Sequence, residues 1–571
     1  MLAIPMVVIA AKIKLESPGP VIYSQRRVGK NGKIFNVYKF RSMYTDAEAR
    51  GARWAAGDDP RVTPFGKFMR EKRIDEIPQF WNIVKGDMSL IGPRPERPAF
   101  CKEFEKRIHG WNYRTSVRPG LSGLAQVMGG YNLLPKEKVV LDLEYIEHRS
   151  IVMDLKIILR TRGLGRVRIL VSCQHYWPEP FNTGDVCEAL VARGHEVTII
   201  TALPNTGMPG NDIPDEWRDS ARRDVVRNGV RVIRADLHPR LTGGANRVRN
   251  YLSFWRNANK IARSLGDEYD VAMGYQFSPV MQADPALVWA KENNKKALLY
   301  CFDLWPASLL AGGFKESSLP FRWMRSVSKR IYSQADRIAV TSPLFDEYFR
   351  SELGLSVPDS AYLPQYADDA FLTVPAGSAP DGYDLVKTNL TFAGNVGQAQ
   401  SVETIVEAAG LLRNEPSIAF HVVGSGSHLD ACKTRAEELG LHNLVFHGRK
   451  PVEDMPAYYA ASDAMLVTFE ASPMADYTLP RKVTTYLAAG RPVLAALDGE
   501  TRRVLDEAKC GLCCGTADAE GRARIARRFA ALPNEEKDRM GRRAREYYLV
   551  HFTKGRFLDE LEALLANLIE E

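Results

Sequence analysis

Two adjacent carboxylates, Asp75 and Glu76, stand among basic residues in RIDEIPQFWNIVKGDMSLIGPRPE, Arg73 to Glu96, which ends in a Gly-Pro-Arg-Pro turn. Neighbouring positions on a helix point about 100° apart, so the pair is expected to divide its labour. One carboxylate would serve as nucleophile while the other binds a divalent cation or handles a proton. Attack by a carboxylate on phosphorus is opposed by the phosphate oxygens. The cations able to offset that repulsion are Lys39, Arg41, Arg70, Arg94 and Arg118, and Mg²⁺ with oxygen ligands would act in the same sense. On spacing alone, a surface helix whose acids pair with Arg70, Lys72 and Arg73 explains the same residues equally well.

The flanking sequence gives the elements that must hold these groups. LAIPMVVIAAKIKL is an apolar stub ending in lysines, and ESPGP stops it. VIYSQRRVG and KIFNVYKFRSM alternate as two strands joined at Gly29 to Gly32. Thr45 to Pro64 reads as a mobile polar loop, and GKFMREKRIDEIPQFWNIVKG has helical spacing that Pro78 can bend or divide.

Charge is concentrated in the same region. The chain carries a net +8, yet residues 1–160 hold 28 Lys and Arg against 17 Asp and Glu, so the remainder is slightly acidic. Such an excess suits a phosphate-rich partner, whether a nucleotide, an anionic membrane or nucleic acid. No nucleic-acid motif accompanies it. No window reaches the roughly 18 to 20 apolar residues of a membrane span, and the stub lacks the marks of a secretory signal; with its basic fringe it fits a segment dipping into one leaflet, or a core helix. The eight cysteines cluster only at Cys510, Cys513 and Cys514, which implies neither a disulfide framework nor a zinc site.

Composition changes at the linker TRGLGR, Thr161 to Arg166. RVRILVSC, HEVTIITAL, YDVAMGY, KALLYCFD and RIAVTSP are strand-like and alternate with helical stretches, the pattern of a parallel sheet covered on both faces. A polar connector near residues 364–384 precedes a second such set, LTFAGN, IAFHVVGSG, LVFHGR, AMLVTF and RPVLAAL, and a helical C-terminal segment. The fold expected is α/β: a small α+β domain over 1–162, then two Rossmann-like domains over 166–370 and 384–571 facing a cleft at the carboxyl ends of their strands. The positions singled out there are Gly184 in a loop before the first helix, Asp303 at a strand end, Gly394, Asn395 and Gln398 in a strand-to-helix turn, Lys482 ahead of a helix, and Gly490 after it.

SPGPVIYSQRRVGKNGKIFNVYKFRSM, RIDEIPQFWNIVKGDMSLIGPRPE, VRPGLSGLAQV and IVMDLKIILRT, in this order, resemble the bacterial sugar transferases, the monotopic polyprenyl-phosphate phosphoglycosyl transferases. The resemblance implies transfer of a sugar-1-phosphate from a UDP-sugar to polyprenyl phosphate at the cytoplasmic face of the bacterial inner membrane, with Mg²⁺. Asp75 would form the covalent phosphosugar intermediate and release UMP. Glu76 matches the companion acid that supports metal or proton transfer, and Lys39, Arg70, Arg94 and Arg118 match donor and phosphate positions. The family's bent anchor is only half present: Pro5 matches its Pro, Ile4 stands where it has Ser, and three residues precede them. A start upstream of Met1 is the favoured expectation, and weak membrane binding through the stub is the other.

Residues 166–571 resemble glycosyltransferase family 4 enzymes of the GT-B fold, particularly those extending lipid-linked sugars. That implies a nucleotide-sugar donor on the C-terminal domain, a lipid-linked sugar acceptor on the N-terminal one, and no required metal. Asn395 and Gln400 occupy the places where many members grip the diphosphate with Arg and Lys, and Tyr477 and Thr485 those of a pair of Glu residues. Lys482 is the cation left for the diphosphate. The reading is a two-step enzyme; its rivals are a GT-B half acting on an unrelated acceptor, and an idle first domain serving as a membrane adaptor.

Overall fold

A computed structural model of the chain describes residues 3–45, 61–71, 73–108, 110–129, 135–161, 166–355, 360–373, 379–471 and 473–571. Most of the loop expected over Thr45 to Pro64, and most of the TRGLGR linker, lie outside these residues. The chain forms two compact units, Met1–Leu164 and Gly165–Glu571.

In the first unit the stub is a helix, Ala3–Glu16. Its later turns bury Ile13 against Phe40 and Met69, so this part belongs to a core, while Leu15 stays exposed. The two strands form as the alternation predicts: β1 (Ile22–Val28) pairs antiparallel with β2 (Ile34–Phe40), and the short turn between them places Asn31 and Gly32 at positive φ. The helical segment after the loop is divided earlier than Pro78. Helix Pro64–Glu71 stops before Arg73, which takes a left-handed conformation at φ 53°, and Gln79–Val84 is a separate helix. A short 3₁₀ turn, Ile74–Glu76, carries the acid pair between them. β3 (Ser89–Ile91) and β4 (Gly120–Ser122) pair in parallel, bringing the Gly-Pro-Arg-Pro turn beside Pro119.

Arg41 departs from its expected role. Its guanidinium is buried, with Nε donating to Pro20 O at 2.7 Å, Nη1 to Ser17 Oγ at 2.5 Å and Nη2 to Ser17 O at 2.8 Å. Backbone carbonyls at the end of the stub helix need donors, and Arg41 supplies them. Its planar fork is spent on architecture, so it is not a phosphate ligand. Arg41→Ala should therefore destabilise the first unit by about 2 to 4 kcal/mol through orphaned buried carbonyls. Urea unfolding of the intact chain measures this, and Arg41→Lys should recover only part of it because an ammonium lacks the fork.

The second unit holds two sheets. The first has β5 (Arg168–Ser172), β6 (Glu196–Ala202), β7 (Asp224–Arg227), β8 (Val230–Ala235), β9 (Val271–Gln276), β10 (Lys296–Cys301), β11 (Arg337–Val340) and β12 (Ala361–Tyr362), in the spatial order β12-β11-β10-β9-β5-β6-β8-β7. All pairs are parallel except β7 with β8, a hairpin turning at Asn228-Gly229. The second sheet is wholly parallel: β13 (Thr388–Ala393), β14 (Ile418–Val423), β15 (Leu444–Gly448), β16 (Ala464–Thr468), β17 (Val493–Ala496) and β18 (Gly511–Cys514), ordered β15-β14-β13-β16-β17-β18. The inner strands of each sheet are almost fully buried between helices, as expected of apolar runs covered on both faces. The edge strands β7, β12, β15 and β18 are half-buried or exposed.

Helix Lys554–Glu570 follows the second sheet in sequence yet packs on the first half. Phe557 sits between the rings of Tyr300 and Tyr366, at 5.7 and 5.0 Å. Arg193 Nη1 meets Asp559 at 2.6 Å and Glu562 at 2.9 Å, and His195 Nε2 meets Glu562 at 3.0 Å.

Candidate functional site

In the first unit, the 3₁₀ turn sets the two acids opposite the end of β2. Asn82, fully buried on helix Gln79–Val84, accepts from Tyr38 N at 3.1 Å and donates to Asn36 O at 2.7 Å, stapling the strand in front of the acids. Lys39 Nζ then lies 2.6 Å from Glu76 Oε1 and 3.7 Å from Asp75 Oδ2. The acids do not diverge as expected of helix neighbours; both face one ammonium. Arg94, from the Gly-Pro-Arg-Pro turn, adds Nη2 to Glu76 Oε1 at 3.0 Å.

These contacts separate the acids electrostatically. Burial works against ionisation of Glu76, but Arg94 and Lys39 outweigh it and hold the carboxyl at about 2. Burial raises Asp75, Lys39 pulls it back, and the charge on Glu76 raises it further. Glu76 is thus a fixed anion neutralised by two cations. Asp75 is the buried acid whose cations stand further off, Lys39 at 3.7 Å with Arg70 and Arg94 acting on it as well, and burial outweighs them, the arrangement of a group kept reactive.

Arg70 Nε donates to Ser42 Oγ at 2.8 Å, and Arg70 is among the charges that lower Asp75. Arg118 is exposed, and a Cβ on Gly86 would lie 3.9 Å from its Nη2. Two supporting residues escaped the sequence reading. Arg114 Nη2 donates to Arg94 O at 3.2 Å while its Nε meets Asp142 at 2.6 Å and its guanidinium lies 4.4 Å from the Trp111 ring centre. The signal for Asp142 was a lone acid in an otherwise apolar register of VVLDLEYI, which spacing alone does not tie to Arg114.

Among the described residues no cluster of three or more metal-ligating side chains occurs. The donor set nevertheless fits a magnesium ion of the kind that takes one or two carboxylates and completes its shell with substrate phosphates and water. Glu76, held ionised by Lys39 and Arg94, is the carboxylate that could hold such an ion.

In the second unit, residues gather at the carboxyl ends of the strands. Asp303 follows β10, and its Oδ2 accepts from Ser278 Oγ, after β9, at 2.6 Å; Trp305 Nε1 donates to the same Ser278 oxygen at 2.9 Å. Burial raises the Asp303 carboxyl more than the Ser278 bond lowers it. Nearby, His175 Nδ1 meets Glu179 at 2.6 Å and its ring stacks on Phe181 at 4.1 Å. Ser278, Trp305, His175 and Glu179 were not foreseen. Gly184 lies in the first turn of helix Thr183–Ala192 rather than in a loop, and a Cβ there would meet the Tyr176 ring at an ordinary 3.6 Å.

In the C-terminal half, Gly394 leaves β13 at φ 140°. A Cβ there would come within 3.3 Å of Lys482 Nζ, so the lysine points at the turn. Lys482 is the second residue of helix Arg481–Ala488. Its Nζ is buried without a hydrogen-bond partner among the described residues, 4.2 Å from the Phe392 ring centre, and burial lowers its pKa to about 7. An orphaned buried ammonium beside a glycine turn at the end of a strand is a place prepared for an anion. Asn395 Nδ2 donates to Gln400 Oε1 at 2.8 Å, and Gln398 opens the 3₁₀ turn that Gln400 ends. Gly490 serves structure instead of ligand: at φ 66° it ends the helix, and a Cβ on Gly541 would come 2.5 Å from its carbonyl oxygen.

The sequence profile described as bacterial sugar transferase matches residues 1–165, that of the glycosyl transferase 4-like domain matches 182–364, and that of glycosyl transferases group 1 matches 385–547. The UDP-N-acetylgalactosamine-undecaprenyl-phosphate N-acetylgalactosaminephosphotransferase of Aeromonas hydrophila is 49% identical over 159 residues, covering 27% of this chain and 38% of that protein. A putative undecaprenyl-phosphate N-acetylgalactosaminyl 1-phosphate transferase of Bacillus subtilis is 57% identical over 114 residues, 20% of this chain and 64% of that one. The chain thus spans less than two thirds of the length of either relative.

Among solved structures, the sucrose-phosphate synthase of Thermosynechococcus elongatus aligns with 71% of this chain and 99% of its own, at TM-score 0.57 and 18% identity. Anabaena HepE in complex with UDP covers 70% and 100%, at TM-score 0.51 and 11% identity. These likenesses identify the second unit as a GT-B fold. The chain is a fusion of a bacterial sugar transferase domain with a family 4-like, group 1 glycosyltransferase.

Proposed function

We propose that this protein is a bifunctional enzyme of lipid-linked glycan assembly, of the kind that builds capsule, exopolysaccharide or O-antigen at the cytoplasmic face of the bacterial inner membrane. The observation that carries the first activity is the pairing of a buried, up-shifted Asp75 with an ionised Glu76 clamped by Lys39 and Arg94. The Asp75 carboxylate attacks the sugar-bearing phosphorus of a UDP-sugar. The bond from that phosphorus to the bridging oxygen breaks, and UMP leaves with the electron pair. An oxygen of polyprenyl phosphate then attacks the phosphosugar, and Asp75 departs as carboxylate. Lys39, Arg70, Arg94 and Arg118 are placed in this reading to meet the donor and its phosphates. Glu76 would hold Mg²⁺, which when bound would supply positive charge against the diphosphate.

The second unit then adds a sugar to that lipid-linked product. Lys482, beside Gly394, takes the donor diphosphate, with Asn395 and Gln398 lining the turn, and Asp303 faces the acceptor. No metal is required there. Covalent linkage keeps the first product close to the second site. Anchoring is monotopic or peripheral in this reading, and among the described residues no helix is long and apolar enough to cross a membrane.

The test is a screen of UDP-sugars with the intact chain on membranes containing undecaprenyl phosphate, following UMP and UDP separately. UMP should appear with one sugar alone, and UDP only when a second donor is added. UDP release that is independent of the first product would sink the coupling, and no UMP with any donor would sink the first activity.

A further inference from the structure

Among the described residues three histidines are buried: His175, His195 and His421. In two of them both ring nitrogens are engaged. His195 Nδ1 accepts from Val167 N at 3.4 Å and its Nε2 meets Glu562 at 3.0 Å, while His421 meets His447 and Asn389, each at 3.0 Å. His175 is only 2% exposed, yet among the described residues only its Nδ1 has a side-chain partner, Glu179 Oε2 at 2.6 Å. A histidine kept solely to brace a carboxylate needs one nitrogen. The second is then a polar atom withdrawn from bulk water with nothing to bond, which folded proteins avoid.

The bonds around Glu179 decide which nitrogen carries the proton. Glu179 Oε1 accepts from Asn205 N at 2.8 Å and from Thr206 N at 2.7 Å, so this side chain is an acceptor toward the backbone. Nδ1 is therefore the donor to Oε2, and Nε2 of the neutral ring is an acceptor with its lone pair unused. The ring is held by its neighbours, nearly parallel to Phe181 at 4.1 Å and edge-on to Phe277 at 6.5 Å. Its loop leaves β5 at the carboxyl edge of the sheet, and Phe277 precedes Ser278, whose hydroxyl donates to Asp303. Phe181, Phe277, Ser278 and Asp303 are all partly exposed. The ring thus borders accessible surface at the edge already read as the acceptor side.

We propose that His175 Nε2 accepts a hydrogen bond from a hydroxyl of the acceptor sugar and so sets how that sugar is presented beside Asp303. Glu179 fixes the tautomer that leaves Nε2 free to accept. Phe181 and Phe277 supply apolar walls for the C–H face of a sugar ring, the mixture of aromatic lining and a few placed polar atoms expected of a small-molecule site. A site built to bond one hydroxyl also discriminates against acceptors that lack it. The proposal rests on the reading that this unit adds a sugar to the lipid-linked product of the first.

The experiment compares His175→Asn with His175→Gln in the full chain, on membranes carrying the lipid-linked product that the unaltered chain makes from its first donor. An asparagine amide reaches the place of Nδ1 and keeps the bond to Glu179, whereas a glutamine amide reaches that of Nε2 and gives this bond up. The Asn variant should lose at least about tenfold in kcat/KM for the lipid-linked product, and the Gln variant should exceed it at least about fivefold. In the Asn variant the KM for the second UDP-sugar and the calorimetric affinity for UDP should stay within about twofold of the unaltered chain. A purely structural histidine gives the reverse order, because the brace on Glu179 is what asparagine preserves. An Asn variant as active as the Gln variant, or one that has lost UDP affinity, overturns the proposal. UDP release indifferent to position 175 sinks this assignment alone; no UDP release by the unaltered chain with any donor sinks the two-step reading, and the acceptor role with it.

Discussion

Asp75→Asn lowers UMP release from any UDP-sugar that the chain accepts by at least about 10³-fold, the scale set by removing a covalent nucleophile whose supporting groups remain. The amide keeps the shape of the carboxylate, and Glu76 retains its contacts with Lys39 and Arg94, so donor binding should change little. Quenched-flow measurement of UMP, beside donor binding by calorimetry, separates the two. Unaltered UMP release would remove Asp75 from the chemistry. The same assignment fixes a pH dependence. Attack requires the carboxylate, and burial raises Asp75 above its ordinary value of 3.8, so the acid limb of the single-turnover rate should lie above that value. Glu76, held at about 2, should add no limb in the accessible range.

Lys482→Met should weaken binding of a nucleoside diphosphate to the second unit by roughly 30-fold to 1,000-fold, the loss expected when a buried charge-assisted hydrogen bond is deleted. The pH profile makes this diagnostic. In the ligand-free protein burial lowers the lysine from 10.5 to about 7, and an anion raises it again. Binding above pH 7 must therefore take up a proton. Affinity should be flat below about 7 and fall by up to tenfold per pH unit above it, and the methionine variant should lose this slope. Stability of the ligand-free protein has the opposite sense. Between about 7 and 10.5 the unfolded chain binds the proton that the folded chain has released, so this group adds stability as pH rises. Calorimetric titration with UDP at several pH values, on the chain carrying Asp75→Asn to silence the first reaction, reads the slope directly.

Periodicity and motif carried much of this architecture. Two strands around Gly29 to Gly32, a mainly parallel sheet before the 364–384 connector and a parallel one after it, and a change of unit at the TRGLGR linker all follow from apolar alternation and from where glycine and proline fall. β7 and β8 are not legible as long apolar runs, because arginines interrupt them, although Asn228-Gly229 between Val225-Val226 and Val230 is a hairpin signal. The acid pair was legible as a pair but not in its geometry. A single left-handed residue, Arg73, converts a helix into two helices and a turn, and no side-chain pattern announces a positive φ at an arginine. Arg41 shows the converse limit: charge marks a cation as available, whereas only tertiary structure reveals that Ser17 and Pro20 have claimed it. Lys482 was legible by elimination, yet the absence of any partner for its Nζ is a property of packing.

Helix Lys554–Glu570 closes the second unit by returning from the last sheet to the first. Its first half is therefore no continuous stretch of chain. A fragment cut at residue 370 would leave Tyr300 and Arg193 without Phe557 and Asp559, and one beginning at 384 would carry a helix with nothing beneath it. The two halves of this glycosyltransferase are tied like the ends of a belt, so a gene can exchange the unit whole but not by halves. The junction at Leu164–Gly165 falls outside the buckle, where recombination could append a second transferase without unfastening the first.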